Sequence, residues 1–244
     1  RMYRPGLGDC FLLSFSDGSQ ARHVLIDCGV FVGTTGEKAR LREIAANVVQ
    51  TAAGTRSQPG VMAAVVATHE HWDHVAGFFH AGDIFQELPP ERVWVAWTED
   101  PDQTIARERK ANHRQMAMAV EKAVERLTAS PAVYDRECGS AIAEVLGFGG
   151  PDTAGMNLGF SERSNQGMEF VTEGLGVAPA YLKPGEVMDL DWAPGGMRVY
   201  VLGPPMDRKA LVQGRTPAEE GYGKSGSEGP SFAWMAGVLG AADG

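Results

Sequence analysis

Cysteine is scarce and unpaired in this chain: Cys10, Cys28 and Cys138 are the only three among 244 residues. An odd number without paired or finger-like spacing argues against a disulfide framework and a cysteine zinc module. A reduced, cytoplasmic protein is the simplest reading. Positive charge is also in deficit. Lysine and arginine total 22 against 31 acidic residues, for a formal charge of -9 and a pI near 5.2. Nothing draws the chain as a whole toward phosphate backbones or anionic lipid. Nucleic acid is therefore disfavoured as a partner and a small-molecule substrate is expected, while oligomeric state leaves no trace in the sequence. No apolar run reaches the length of a membrane span, the stretch from Ser231 to Ala242 being too short, and the residues from Arg1 onward do not read as a secretory leader, although a missing start would hide one. Internal repeats are absent too. Histidine runs out early, with none after His113.

Against these absences stands one dense cluster. Residues 68 to 77 read Thr-His-Glu-His-Trp-Asp-His-Val-Ala-Gly, so His69, His71, Asp73 and His74 fall within six positions and take half of the six histidines. The apolar run 61 to 67 before it suits a buried strand. If the backbone stays extended to His71, then His69 and His71 share a side, because strand side chains repeat every two residues. Asp73 and His74 then sit where the chain bends into a helix over about 74 to 85, with Val75, Phe78, Phe79 and Phe85 packing under the loop. Gly77 leaves room for the loop or a substrate to approach. Imidazole with carboxylate suits zinc, and also iron or manganese. The plainer alternative makes Asp73 a helix N-cap and the histidines surface residues.

The string His69-Glu70-His71-Trp72-Asp73-His74, after a hydrophobic strand and before a glycine-containing helix, resembles the signature of the metallo-beta-lactamase fold. The segment Gly8-Asp9-Cys10-Phe11-Leu12-Leu13-Ser14-Phe15, a turn at Asp17-Gly18, and His23-Val24-Leu25-Ile26-Asp27-Cys28-Gly29 look like the opening hairpin of one branch of that superfamily. That branch holds competence-type DNA-uptake proteins and uncharacterised bacterial hydrolases. The resemblance covers residues 6 to 80 well and 195 to 205 loosely, and leaves 98 to 165 unmatched. It implies an α/β fold, a four-layer αββα sandwich, over a single domain from 1 to 244. A helical insertion would span about 98 to 165, and the C-terminal part would be incomplete.

The resemblance also implies roles. His69 and His71 match two ligands of a first metal, and Asp73 and His74 match ligands of a second, so that two zinc ions are expected in the complete protein. Asp27 matches the acidic residue that supports the metal loop from behind, although a turn residue in Asp-Cys-Gly reads equally well. The implied activity is a metallohydrolase, in which a metal-bound hydroxide attacks an ester, amide, thioester or phosphodiester. Asp73 is the catalytic candidate, binding metal and orienting or deprotonating the water. The alternatives are a catalytically incomplete metal-binding scaffold and an iron-dependent oxidoreductase of the same fold. The family's third histidine, bridging aspartate and last histidine have no counterpart here. Asp189, Asp191 and Asp207 lack the small-residue context of the bridging aspartate. The expectation is a fragment cut short after Gly244.

Elsewhere strand and helix alternate. Leu41, Ile44, Ala45, Val48, Val49 and Ala52 recur at helical intervals over 37 to 53, and Gly54 ends the run. A strand is expected at 92 to 97. Asp100, Pro101 and Gln103 read as a capping box opening a helix to about Thr128, its apolar stripe being Met116, Val120, Ala123, Val124 and Leu127. On that reading Glu99, Asp100 and Asp102 belong to the cap rather than to catalysis. His113 is expected on the solvated side, His80 packed or exposed away from the cluster, and His23 structural. A short helix is expected at 140 to 147, then strands at 168 to 172 and 197 to 202 ending in Gly203-Pro204-Pro205. Residues 213 to 230, rich in glycine, read as a mobile loop.

Overall fold

The computed structural model describes residues 1–16, 18, 20–31, 33–147, 162–193 and 196–207. The loop expected at 213 to 230, most of the segment 151 to 165 and the side chains of His113 and Met116 lie outside them. By its internal contacts the chain divides into Arg1–Pro205 and Met206–Gly244, and every element below belongs to the first unit.

The opening hairpin forms from β1 (Phe11–Ser16) and β2 (Ala21–Ile26), antiparallel with Phe11 opposite Ile26 and Ser16 opposite Ala21. Helix α1 (Glu37–Ala53) returns the chain to β3 (Gly60–Ala67). Helix α2 (Trp72–Phe85) leads to β4 (Val93–Ala96) and a 3-10 turn, Trp97–Glu99. Helices α3 (Thr104–Thr128) and α4 (Val133–Gly147) follow and pack on each other. Then come α5 (Glu162–Glu169), a π-helical turn Phe170–Gly174, and β5 (Pro179–Leu182). The five strands lie in the order β1-β2-β3-β4-β5, with β2 to β5 parallel. This is an α/β fold with a mixed sheet. A separate antiparallel pair, β6 (Val187–Leu190) and β7 (Met197–Tyr200), completes the described elements.

The sheet has two apolar faces, each covered differently. Leu12, Leu25, Met62, Val65, Val93 and Val95 pack under α1, α2 and α5, where Leu41, Val48, Val75 and Met168 are buried. Val24, Ala64 and Trp94 point the other way and meet Leu190, Met188 and Val199 of the β6–β7 pair. Along β3 the alternation slips by one residue between Met62 and Ala64, where the pairing with β2 shifts register. That bulge puts both Met62 and Val65 on the helical face. Among the described residues no helix is long and apolar enough to cross a membrane.

Three expectations fail here for physical reasons. The segment 168 to 172 is helical, not a strand. Its β-branched, alternating look is overridden by burial of Met168, Val171 and Leu175 at helical spacing, and Phe170 packs where only the hydrogens of Gly82 and Gly174 fit. The capping box at Asp100 does not form, because α3 starts at Thr104 with Gln103 before it. Asp100 instead accepts the Asp102 amide in a local turn, at 2.9 Å. Helix α4 begins at Val133 rather than near 140.

Because Trp94 anchors the β6–β7 pair from the sheet, Trp94→Ala should destabilise the protein by about 3–5 kcal/mol. Urea unfolding of the variant checks this, and a change below 1 kcal/mol would contradict the packing described.

Candidate metal centre

The parallel strands β2, β3 and β4 all end at one edge of the sheet, where crevices of open α/β sheets gather ligands. Asp27 follows β2, Thr68 and His69 follow β3, and the turn to Glu99 follows β4. The chain before β1, antiparallel to β2, brings Asp9 to the same edge. Here the end of β2 lies directly against the start of α2. The Cys28 amide donates to the His74 carbonyl (2.8 Å), the Gly77 amide to the Cys28 carbonyl (2.6 Å) and the Asp9 amide to the Asp73 carbonyl (3.1 Å). Two glycines permit this approach. A Cβ on Gly29 would fall 2.2 Å from the Asp73 carbonyl carbon, and one on Gly77 would fall 2.3 Å from Cys28 Sγ. The room at Gly77 thus serves the loop from β2, with Cys28 filling it.

Asp27 holds the junction. It takes a positive φ of 54°, alone among the described non-glycine residues, and its side chain is buried. Its Oδ1 accepts the Thr68 amide at 2.8 Å, and its Oδ2 accepts the Thr68 hydroxyl at 2.7 Å and His74 Nδ1–H at 2.8 Å. This network orders the imidazoles. The one hydroxyl proton of Thr68 goes to Asp27, so in the 2.9 Å contact between Thr68 Oγ1 and His69 Nδ1 the ring nitrogen donates. The lone pair of His69 is then on Nε2, 3.1 Å from His71 Nδ1. With Nδ1 of His74 committed to Asp27, its Nε2 turns toward Asp73 Oδ2 at 3.5 Å. The rings of His69 and His74 lie 3.9 Å apart between centroids.

The environment tunes these groups in opposite directions. Burial, with the neighbouring His74 and His71, lowers the pKa of His69 to about 4. Burial also lowers that of His71. For His74 burial opposes the charge, yet the hydrogen bond and charge of Asp27, with Asp73 and Asp9, outweigh it and raise the pKa. Beneath the loop, the adjacent Cys10 thiol and complete burial push the Cys28 thiol well above its ordinary value. Both cysteines are buried and free, as small residues of the core.

The four residues singled out in the sequence therefore come together in two pairs, His69 with His71 and Asp73 with His74. His80 stays outside, packed on Trp72 and Phe79 and 3.4 Å from Glu37 Oε1. His23 is buried beside Ser14 Oγ at 2.8 Å. Asp9 received no role in the sequence, yet Asp9, Asp27 and His74 offer ligand atoms all within 4.8 Å of one another. The hairpin register could have revealed it, since Phe11 opposite Ile26 sets residues 9 and 10 beside 27 and 28. Glu99, expected as part of a cap, instead meets a lysine of α3: Lys110 Nζ lies 2.6 Å from Glu99 Oε2 and 3.2 Å from Glu70 Oε2. No family model matches the chain, and comparison with curated proteins and with solved structures gives no match.

Without metal, the lowered pKa values of His69 and His71 mean that the unfolded chain binds more protons than the folded one below about 6.5, the ordinary value. Stability should fall as pH drops from 6.5 toward 4. His74, with its raised pKa, acts oppositely: it stabilises below 6.5 and that contribution fades as pH rises through the raised value. His69→Gln should flatten the acid-side loss in urea midpoints recorded from pH 7 to 4. An unchanged pH slope would show that His69 titrates as a solvated group.

Proposed function

We propose that this chain is a metal-dependent hydrolase with a metallo-beta-lactamase-like four-layer sandwich, acting in the cytoplasm on a small-molecule ester, amide, thioester or phosphodiester. The observation that carries this reading is the orientation of the imidazoles. Thr68 and Asp27 occupy the Nδ1 atoms of His69 and His74, which leaves both Nε2 atoms facing other members of the cluster, that of His69 toward His71 Nδ1 and that of His74 toward the carboxylate of Asp73.

The donor set fits a borderline cation such as zinc, with iron or manganese as further candidates. His69 and His71 are held neutral by burial, which leaves lone pairs to donate. Asp27 has both oxygens occupied by three donors, so it serves as an orienting carboxylate behind His74, as ligand imidazoles commonly require. A cation bound by His69, His71, Asp73 and His74 would polarise the scissile group and lower the pKa of a bound water to about 7. Asp73, with a side chain 35% exposed, would be the carboxylate to orient the attacking water and take up its proton. Asp9, 44% exposed and 3.7 Å from His74 Nδ1, adds negative charge at the rim. Beside the pocket a cleft of about 320 Å³, lined by Asp100, Pro101, Ala106, Arg107 and Ala111 as well as Glu99 and Lys110, has a volume in the range of small-ligand sites.

The test is metal content followed by a reporter panel. Protein purified without added metal and dialysed against zinc should hold at least one equivalent and hydrolyse one of an ester, thioester, lactam or phosphodiester reporter. Asp73→Asn should lower that rate by at least about 100-fold, and chelation should abolish it. Iron with a redox-active spectrum would overturn the hydrolase reading in favour of an oxidoreductase. Failure to retain any metal would leave a scaffold.

A further inference from the structure

Glu70 stands between His69 and His71, and its side chain is turned away from solvent, 14% exposed, to meet Lys110 of α3. Lys110 also meets Glu99, whose side chain is 4% exposed at the end of β4. Burial disfavours the Lys110 charge, but the two carboxylates outweigh it and keep the ammonium protonated. One cation thus joins three separate elements: the loop that carries the imidazoles, the strand end beside it and the helix that covers both. Both carboxylates contact the same Nζ, so without it two negative charges would face each other next to His71.

We propose that Lys110 is a positioning residue for the metal centre, a clasp that acts through Glu70 to set where His69 and His71 present their ring nitrogens. This rests on the metal-binding reading above and extends it: the posture of the imidazole pair is governed by α3, an element that supplies no metal ligand. Glu99 keeps the ammonium charged and fixes it to the sheet, and Glu70 transmits its position to the loop.

Two variants separate a clasp from a mere neutraliser of Glu99. Glu70→Ala removes the tether while leaving the Lys110–Glu99 pair intact. The double variant K110M/E99Q removes the ammonium together with the more buried carboxylate, so Glu99 is not left charged without its cation, and it also removes the Lys110 contact from Glu70. In both, urea midpoints should stay near that of the parent protein, while zinc affinity by competition with a chromophoric chelator should weaken by about 10–100-fold, the range for removing a partner behind a ligand. Adding Glu70→Ala to K110M/E99Q should cost little more, because both act on one tether. Lys110→Arg should retain most of the affinity.

A second readout needs no metal. In long-range imidazole 1H–15N spectra of the apo protein, the His69 and His71 resonances should move in both variants, while those of His23 and His80 stay. Parent protein that binds zinc, with variants that bind it equally and show unmoved resonances, would overturn the clasp and leave the metal reading standing. Parent protein that binds no zinc, with His69 and His71 still shifting together in both variants, would overturn the metal reading and leave the clasp.

Discussion

The Asp27 carboxylate is the constraint on which the rest of this edge depends. A buried carboxylate is costly unless donors satisfy it, and here three do: two from Thr68 at the end of β3 and one from His74 in the first turn of α2. The same residue turns the chain with a positive φ, which lays Cys28 and Gly29 along the start of α2. One side chain therefore ties the ends of two strands to the beginning of a helix. It is buried between them, and its own geometry obliges a glycine on each side of the contact, Gly29 and Gly77.

From that point the chemistry propagates by proton bookkeeping. Once Asp27 accepts from Thr68 and His74, the hydroxyl has no proton left for His69, and the tautomers of both rings follow. Burial then keeps His69 and His71 neutral while the surrounding carboxylates favour charge on His74. These opposed environments leave lone pairs on His69 and His71 and favour the charged form of His74, with Asp73 and Asp9 at the more exposed side. Sheet and helices supply the rigid frame, and α3 closes the loop from outside through Lys110.

Legibility in the sequence followed the range of the interactions. The apolar run of β3, the helical spacing of α1 and the close grouping of His69, His71, Asp73 and His74 are local patterns, and each is found where its spacing places it. Asp9 and Asp27 are 18 positions apart in sequence but come within reach of the same ring, and only the β1–β2 register announces it. Glu70, Glu99 and Lys110 carry no local signal at all, since a lysine that meets one buried and one half-buried carboxylate looks on a helix like any solvated lysine. The turn at Phe170 carries a strand-like pattern, because β-branched residues favour strands until packing against α2 decides otherwise. The fourth layer of the sandwich, the two-metal stoichiometry and the ligand roles of the four residues rest on resemblance, whereas geometry shows the contacts of His69 with His71 and His74 and of Asp73 with His74, and among the described residues gathers Asp9, Asp27 and His74 at cation-sized spacing.

The central claim is that His69, His71, Asp73 and His74 bind one or two cations through imidazole nitrogen and carboxylate oxygen. X-ray absorption at the zinc edge of the loaded protein tests it most directly. The expected spectrum has a nitrogen and oxygen shell at about 2.0–2.1 Å with the multiple scattering of at least two imidazoles and no sulfur shell. A sulfur shell near 2.3 Å would place the metal on Cys10 or Cys28 instead, and a shell of water-like oxygens without imidazole scattering would show that the cluster does not bind it.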